Sequence, residues 1–204
     1  LYIINHDGIQ QLAYNILGFI EGSPALVDID GDQDLEILFT TTTTSGGQLY
    51  AIHHNGITMS GFPKELGSMW TGPAVHDIDN DGAFDIVCTT YDKEIYAIEV
   101  NGGAIKPGFP VTLEGRLDIS PTVVDVDSDG DYEIAVGSND GELYILNHDG
   151  TIFAQYDTGD DIRGGISVCD LNSDGQLDLL FGGYDDKIHV WDPVAVSYTH
   201  LRAH

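Results

Sequence analysis

The sequence predicts an all-β chain of β-propeller blades, each of four short antiparallel strands, on three observations. Two independent markers recur along the 204 residues with one shared period of about 47 residues. Each period holds four short apolar or alternating runs separated by turn residues. No segment keeps the apolar spacing of an amphipathic helix. A four-stranded unit repeated at this length is a propeller blade.

The first marker is a run that alternates and ends in a tight turn. It reads LYIINHDG over Leu1–Gly8, LYAIHHNG over Leu49–Gly56, IYAIEVNG over Ile95–Gly102 and LYILNHDG over Leu143–Gly150, with a weaker copy, IHVWD, over Ile188–Asp192. The second marker is an acidic cluster that begins at Asp28, Asp77, Asp125 and Asp170.

The first full repeat shows the elements in order. Pro24–Ile29 is a short apolar run, strand A, followed by an acidic turn. Leu35–Thr42 is apolar and β-branched, strand B, and Thr40–Thr44 extends it to a Ser-Gly-Gly turn. Gln48–His53 alternates as strand C. Asn55-Gly56 then supplies the positive φ of a two-residue hairpin, and Ile57–Phe62 follows as strand D. On this pattern the chain begins at a strand C, runs through three whole blades and ends after another strand C. About four blades are expected, as a fragment or open arc of a larger ring, with a closed four-bladed ring as the alternative. The repeats occupy residues 1–193. The tail 194–204 breaks the pattern and reads like vector-derived sequence, so it is set apart and His200 and His204 receive no metal role.

The acidic clusters, residues 28–36, 77–85, 125–133 and 170–178, share the pattern D-x-[DN]-x-D-x-x-x-[DE]. Positions one, three, five and nine are Asp28, Asp30, Asp32 and Glu36; Asp77, Asp79, Asp81 and Asp85; Asp125, Asp127, Asp129 and Glu133; and Asp170, Asn172, Asp174 and Asp178. Calcium takes six to eight oxygen ligands, and a short loop supplies them by curling alternate side chains toward one centre. Position seven, which is Asp34, Ala83, Asp131 or Gln176, is expected to give its backbone carbonyl; its varied side chains suit a main-chain role. Glycine at position six permits the bend in Gly82, Gly130 and Gly175, whereas Gln33 stands there in the first loop. One such turn would be an ordinary acidic surface turn. Four in register, each with four oxygen side chains, oppose folding by mutual repulsion unless a cation joins them. About four calcium sites are therefore expected. An EF-hand is excluded: its bidentate Glu at position twelve is replaced by Phe39, Cys88, Val136 and Phe181, and the flanks are strand-like.

Charge narrows the partners. With 34 acidic residues against 7 Lys plus Arg the net charge is −27, which argues against nucleic acid and anionic membrane surfaces. Half of those acids stand in the four loops. No apolar run reaches the 18 residues of a membrane span, so no membrane insertion is expected. Cys88 and Cys169 lie in apolar runs and read as two buried thiols. The periodic Tyr2, Tyr50, Tyr96 and Tyr144 read as packing between blades rather than a stacking ring. His6, His53, His54 and His148 read as structural or exposed turn histidines.

These residues resemble the FG-GAP/VCBS repeat family, the calcium-binding propeller repeats also seen in integrin α-chain heads. The carriers are Ser23-Pro24-Ala25, Gly72-Pro73-Ala74 and Ser120-Pro121-Thr122 ahead of the loops, the loops themselves, and Gly61-Phe62-Pro63 and Gly108-Phe109-Pro110. The fourth repeat departs, with Gly164-Gly165 in place of Ser-Pro. The LYAI-type segments are also similar to quinoprotein-type propeller repeats, which lack the acidic loop. The resemblance implies structural calcium at the A–B turns, an extracellular or cell-surface location, and a role in adhesion or in recognition of a protein or glycan, beside other domains of a parent chain. No nucleophile elbow, phosphate loop or zinc signature is present, so a noncatalytic module is expected. Two alternatives stand: the propeller of a carbohydrate-active enzyme such as a polysaccharide lyase, and a purely structural spacer. The first would need basic residues along a cleft, and only Lys64, Lys93, Lys106, Arg116, Arg163 and Lys187 lie outside the tail.

Overall fold

The computed structural model describes residues 1–4, 6–195 and 197–202, with Ser197–Arg202 described by backbone. Eighteen strands and no helix make up the described residues. A two-stranded hairpin, β1 (Tyr2–Ile4) and β2 (Gln10–Ala13), leads into four sheets of four strands. The first is β3 (Ala25–Val27), β4 (Glu36–Thr43), β5 (Gly46–Ile52) and β6 (Lys64–Leu66). The second is β7 (Ala74–His76), β8 (Asp85–Thr89), β9 (Glu94–Glu99) and β10 (Val111–Thr112). The third is β11 (Thr122–Val124), β12 (Glu133–Gly137), β13 (Glu142–Leu146) and β14 (Ile152–Asp157). The fourth is β15 (Ser167–Cys169), β16 (Asp178–Gly182), β17 (Lys187–Asp192) and β18 (Ser197–Arg202). Each sheet is an antiparallel meander in chain order, as propeller blades require.

The core lies between sheets, which explains why the B strands are apolar without alternation. Successive side chains of a strand point to opposite faces, and both faces of a middle blade are covered. In β8, Ile86 and Cys88 pack toward the first blade, against Leu38, Leu49 and Ala51. Val87, between them, packs toward the third, against Ile134, Val136 and Leu146. The same two-sided use recurs in β12, where Ala135 joins the cluster shared with Leu179, Phe181 and Trp191 of the fourth blade. The first blade turns Ile37, Phe39, Tyr50 and Ile52 onto Leu1, Ile3 and Tyr14 of the leading hairpin. Tyr50 and Tyr144 are buried in these interfaces, as the packing reading expected. Their hydroxyls donate to Gln48 Oε1 (2.7 Å) and Asp140 Oδ2 (3.2 Å), so each buried phenol keeps a partner.

Blades are also joined by close backbone approach and by buried hydroxyls. A Cβ on Gly61 would lie 2.2 Å from Gly102 O, and one on Gly108 would lie 1.9 Å from Asp149 O. The Gly-Phe-Pro segments therefore sit inside blades, between strands C and D, and rest on the next blade's C–D turn. Thr40 donates to Thr71 O at 2.5 Å, Thr71 meets Thr89 at 2.8 Å, and Thr89 reaches Ile119 O at 3.2 Å, linking three blades through nearly dry side chains.

The sheets do not close into a ring; the result is a partial propeller. Tyr2 is 68% exposed and Ile4 61% at one open edge, and Ile188 is 44% exposed at the other. Tyr2 thus departs from its repeat mates because no sheet covers that face. Three further features differ from the sequence expectations. Strand D of the first blade is Lys64–Leu66 rather than Ile57–Phe62. Only an isolated Ile52–Thr58 bridge forms before Pro63, which has no N–H to give a ladder. Ser197–Arg202, set apart as tail, pairs along its whole length with β17 and supplies the fourth blade's outer strand. Cys169 is exposed, because β15 lies on the last blade, whereas Cys88 is buried and its thiol is pushed up to about 12.

The fourth blade replaces the periodic tyrosine with His189, whose Nε2 lies 3.1 Å from Asp185 Oδ1, beside Lys187 Nζ at 2.6 Å from Oδ2. Burial alone would raise the Asp185 pKa, but the hydrogen bonds from Lys187 and His189 outweigh it and hold the carboxyl at about 2. A carboxyl depressed in the folded state contributes stability that is complete above its unfolded pKa of about 4 and is lost as pH falls toward 2. Asp185→Asn is therefore expected to cost on the order of 1–2 kcal/mol at pH 6. The difference from the parent chain should vanish near pH 2, as read from denaturant midpoints across that range.

Candidate metal centres

Each A–B turn is closed from its far end by the acid that opens strand B. That carboxylate reaches back and accepts the N–H of loop position two. Ile29 N lies 3.0 Å from Glu36 Oε2, Ile78 N 3.3 Å from Asp85 Oδ2, Val126 N 2.8 Å from Glu133 Oε2 and Leu171 N 2.9 Å from Asp178 Oδ2. All four acids are buried. Position one accepts from the far side of the turn: Gln33 N, Gly82 N, Gly130 N and Gly175 N donate to Asp28, Asp77, Asp125 and Asp170. Position five takes the N–H of position seven at 2.8–2.9 Å through Asp32, Asp81, Asp129 and Asp174. Asp34, Ala83, Asp131 and Gln176 thus have their backbone N–H groups fixed by the loop itself.

The backbone bends twice in every loop. Position six is left-handed at Gln33, Gly82, Gly130 and Gly175, and position four is left-handed at Gly31, Asn80, Ser128 and Ser173. The sequence pattern marked only the first of these. Gln33 does adopt the costly conformation expected of it, at φ 75°.

The loops differ in what they gather. In the third, oxygens of Asp125, Asp127 and Glu133 lie within 4.8 Å of one another. Asp125 Oδ1 is buried there with no hydrogen-bond partner among the described residues. Burial pushes the Glu133 carboxyl up to about 7; the Val126 N–H pulls the other way, and Asp127, Asp129 and Asp125 add to the rise. Oxygen donors, an orphaned buried oxygen and mutually repelling carboxylates are together what a hard divalent cation relieves. In the first loop, Asp28, Asp30 and Asp32 converge within the same distance. A second group there joins Asp30 and Glu36 to His53, whose Nδ1 is 3.1 Å from Glu36 Oε1 and 3.7 Å from Asp30 Oδ2. Strand pairing causes this: Ile37 faces Ile52, which sets Glu36 beside His53. His54 and His148 lie 3.5 and 3.4 Å from the position-seven acids Asp34 and Asp131. These turn histidines are thus neighbours of the loops, a placement that no spacing in the sequence announced. In the fourth loop Asn172 donates to Asp174 and accepts its N–H. That loop brings no three acids within 4.8 Å among the described residues.

The second loop gathers Asp77, Asp79 and Asp85, but Lys106 stands among them. Its Nζ lies 2.7 Å from Asp79 and 2.9 Å from Asp85. Burial raises both acids and Lys106 lowers both; the balance leaves Asp79 below its ordinary range and the more deeply buried Asp85 above it. Lys106 also was not singled out in the sequence as part of a loop, since it is 21 residues beyond Asp85.

The opposite end of the blades carries different chemistry. There the B–C turns dock on the preceding D–A loops, through Tyr91 N to Ser68 O (2.7 Å), Asn139 N to Arg116 O (3.0 Å) and Tyr184 N to Asp161 O (2.9 Å). The half-exposed Trp70 lies against Tyr91, tilted by 30° with ring centroids 4.7 Å apart, and Arg116 lies 4.5 Å over the same Tyr91 ring while forking onto Asp118. Arg163 pairs with Asp161 and lies 5.2 Å over Tyr184.

Comparison with known proteins agrees with this architecture. Residues 28–88 match the FG-GAP-like repeat, and residues 108–200 match the Lambda-carrageenase β-propeller domain. No curated protein sequence matches. Among solved structures, the Vibrio cholerae biofilm matrix protein Bap1 is similar at 18% identity and a TM-score of 0.65, over 88% of this chain and 30% of Bap1. BamB from Moraxella catarrhalis is similar at 18% identity and a TM-score of 0.68, over 94% of this chain and 55% of BamB. Saccharomyces cerevisiae Sqt1 is similar at 14% identity and a TM-score of 0.72, over the whole of this chain and 55% of Sqt1. The chain thus spans between about a third and just over half of these structures, and at such identities they show the fold alone.

Gln33→Gly removes the left-handed strain of the first loop. It is expected to stabilise the chain by about 1 kcal/mol, or about 2–4 °C in melting temperature for a chain of this size. Differential scanning calorimetry checks it, and Gln33→Ala should give no such gain.

Proposed function

We propose that this chain, an open array of FG-GAP-type β-propeller blades, is a calcium-stabilised, noncatalytic recognition module of a secreted or surface protein. The observation that carries the reading is the third loop, where an orphaned buried oxygen on Asp125 meets the converging Asp127 and Glu133. The first loop supports it with Asp28, Asp30, Asp32 and Glu36, and the fourth with Asp170, Asn172, Asp174 and Asp178. Position-seven carbonyls of Asp34, Asp131 and Gln176 complete the oxygen sets in this proposal. Calcium here is structural: it neutralises carboxylates that the chain itself buries, and so ties strand A to strand B.

Recognition is assigned to the end away from the loops. Trp70, backed by Tyr91, and Tyr184 offer aromatic faces there, and Arg116, Asp118 and Arg163 offer planar hydrogen-bonding groups, a combination suited to a sugar ring or to an exposed peptide. The likeness of residues 108–200 to the Lambda-carrageenase propeller favours, as a second reading, the propeller of a carbohydrate-active enzyme. In that reading the same end would face the glycan.

Calcium at a hundredfold excess over its Kd is expected to add about 2.7 kcal/mol per site, a rise of at least about 5 °C in melting temperature over the chelated chain. An unchanged melt with no calorimetric binding would reduce the loops to acidic turns. Trp70→Ala is expected to abolish retention on an immobilised panel of neutral and anionic oligosaccharides while leaving the melt unchanged. Turnover of any of these oligosaccharides by the chain would replace the noncatalytic reading with the enzymatic one.

A further inference from the structure

We propose that the ammonium group of Lys106 takes the place of the divalent cation in the second acidic loop, so that this chain binds three divalent ions and not four. The inference rests on the reading of the other loops as calcium sites and concerns how they differ.

The backbone delivers a side chain to the underside of the A–B turn in each of the first three blades. Lys106 N donates to Ala97 O at 2.9 Å just as Met59 N donates to Ala51 O at 2.9 Å, so the two residues hold one position. The pairing of Leu146 with Ile152 puts Phe153 at that position in the third blade. Met59 and Phe153 are partly buried against the inter-blade cores. An apolar side chain at this position packs and leaves the carboxylates to a cation from solution. Lysine has the same apolar stem but ends in a charge.

That charge is well seated. Lys106 is only 6% exposed, and its Nζ donates to Asp79 Oδ2 at 2.7 Å and to both oxygens of Asp85 at 3.1 and 2.9 Å. Asp79 and Asp85 are two of the three acids that gather in this loop. The position-three side chain is diverted as a result. Asp30, Asp127 and Asn172 each accept the N–H of position five in their loops, whereas Asp79 is turned onto Lys106. Asp79 Oδ1 stays buried without a partner among the described residues, as Asp125 Oδ1 does in the third loop; what differs here is the ammonium already seated between the carboxylates. A divalent ion would have to enter beside a fixed positive charge, on donors already in use. The second blade therefore closes its own A–B turn without calcium, while the A–B turns of its neighbours depend on it.

The test is the number of calcium ions bound by the full chain, counted by native mass spectrometry and by calorimetric titration. Three ions are expected for the parent chain. Removing the position-five ligand should distinguish the loops: Asp81→Ala keeps three ions, and Asp129→Ala drops to two. Lys106→Met, which installs the residue of the first blade, is expected to gain a fourth ion. It should also melt lower than the parent in chelator and recover in calcium. Four ions on the parent chain, or a loss of one ion in Asp81→Ala, would overturn the inference and leave the calcium reading standing. No bound ion at all would overturn both. If Lys106→Met does not fold, the Asp81→Ala and Asp129→Ala pair still decides.

Discussion

Every blade buries a carboxylate at the head of its second strand, and much of the structure answers to that fact. Glu36, Asp85, Glu133 and Asp178 are almost inaccessible, and each accepts a backbone N–H from the start of the turn it closes. A buried anion is tolerated only when paired. One N–H does not neutralise it, so the blade needs positive charge at a fixed place. In the first three loops the remaining acids gather further oxygens around that carboxylate. Glu133 shows the consequence when they stand together without a counter-charge: its proton is held to about neutral pH.

The four loops meet this requirement in different ways on one backbone. The bends at positions four and six and the Asx-type hydrogen bonds of position five repeat from loop to loop. Chemistry changes at the residues that reach the loop from elsewhere: His53 in the first blade, Lys106 in the second and His148 in the third. Because the acids lie at one end of the blades, the other end is free to vary. There Trp70, Tyr91 and Arg116 pack in an order that the acidic loops neither require nor constrain. Scaffold and surface are separated along the strand axis.

Stability along the array is a matter of neighbours. Each inner sheet has two apolar faces and each face is spent on a different blade, so a blade cannot bury itself alone. The end faces show what happens where a neighbour is lacking: Tyr2 repeats the sequence of Tyr50 and Tyr144 yet lies in solvent, and Ile188 does likewise at the other edge. The threonine relay through Thr40, Thr71 and Thr89 adds direction to contacts that apolar packing leaves unspecific.

The sequence by itself determined the repeat, the strand count per blade, the unbroken apolar B strands and the acid positions of the loops. These depend on local spacing: period two in a strand, positive φ at Asn-Gly and Asp-Gly, alternate oxygens in a turn. Local spacing also showed that Gln33 would be strained. It did not place strand D of the first blade, because Ile57–Phe62 has strand composition but no partner ladder until Pro63 is passed. It did not give Ser197–Arg202 a strand, because pairing with β17 is a backbone matter that composition does not record. Nor did it foresee that Cys169 and Tyr2 are exposed, since their repeat mates are wholly or partly covered by blades that these two lack. The placement of His53 and Lys106 against the acidic loops was decided by tertiary structure alone. Both reach their carboxylates across strand register, from 17 and 21 residues away, and no one-dimensional pattern carries the direction in which a long side chain is sent.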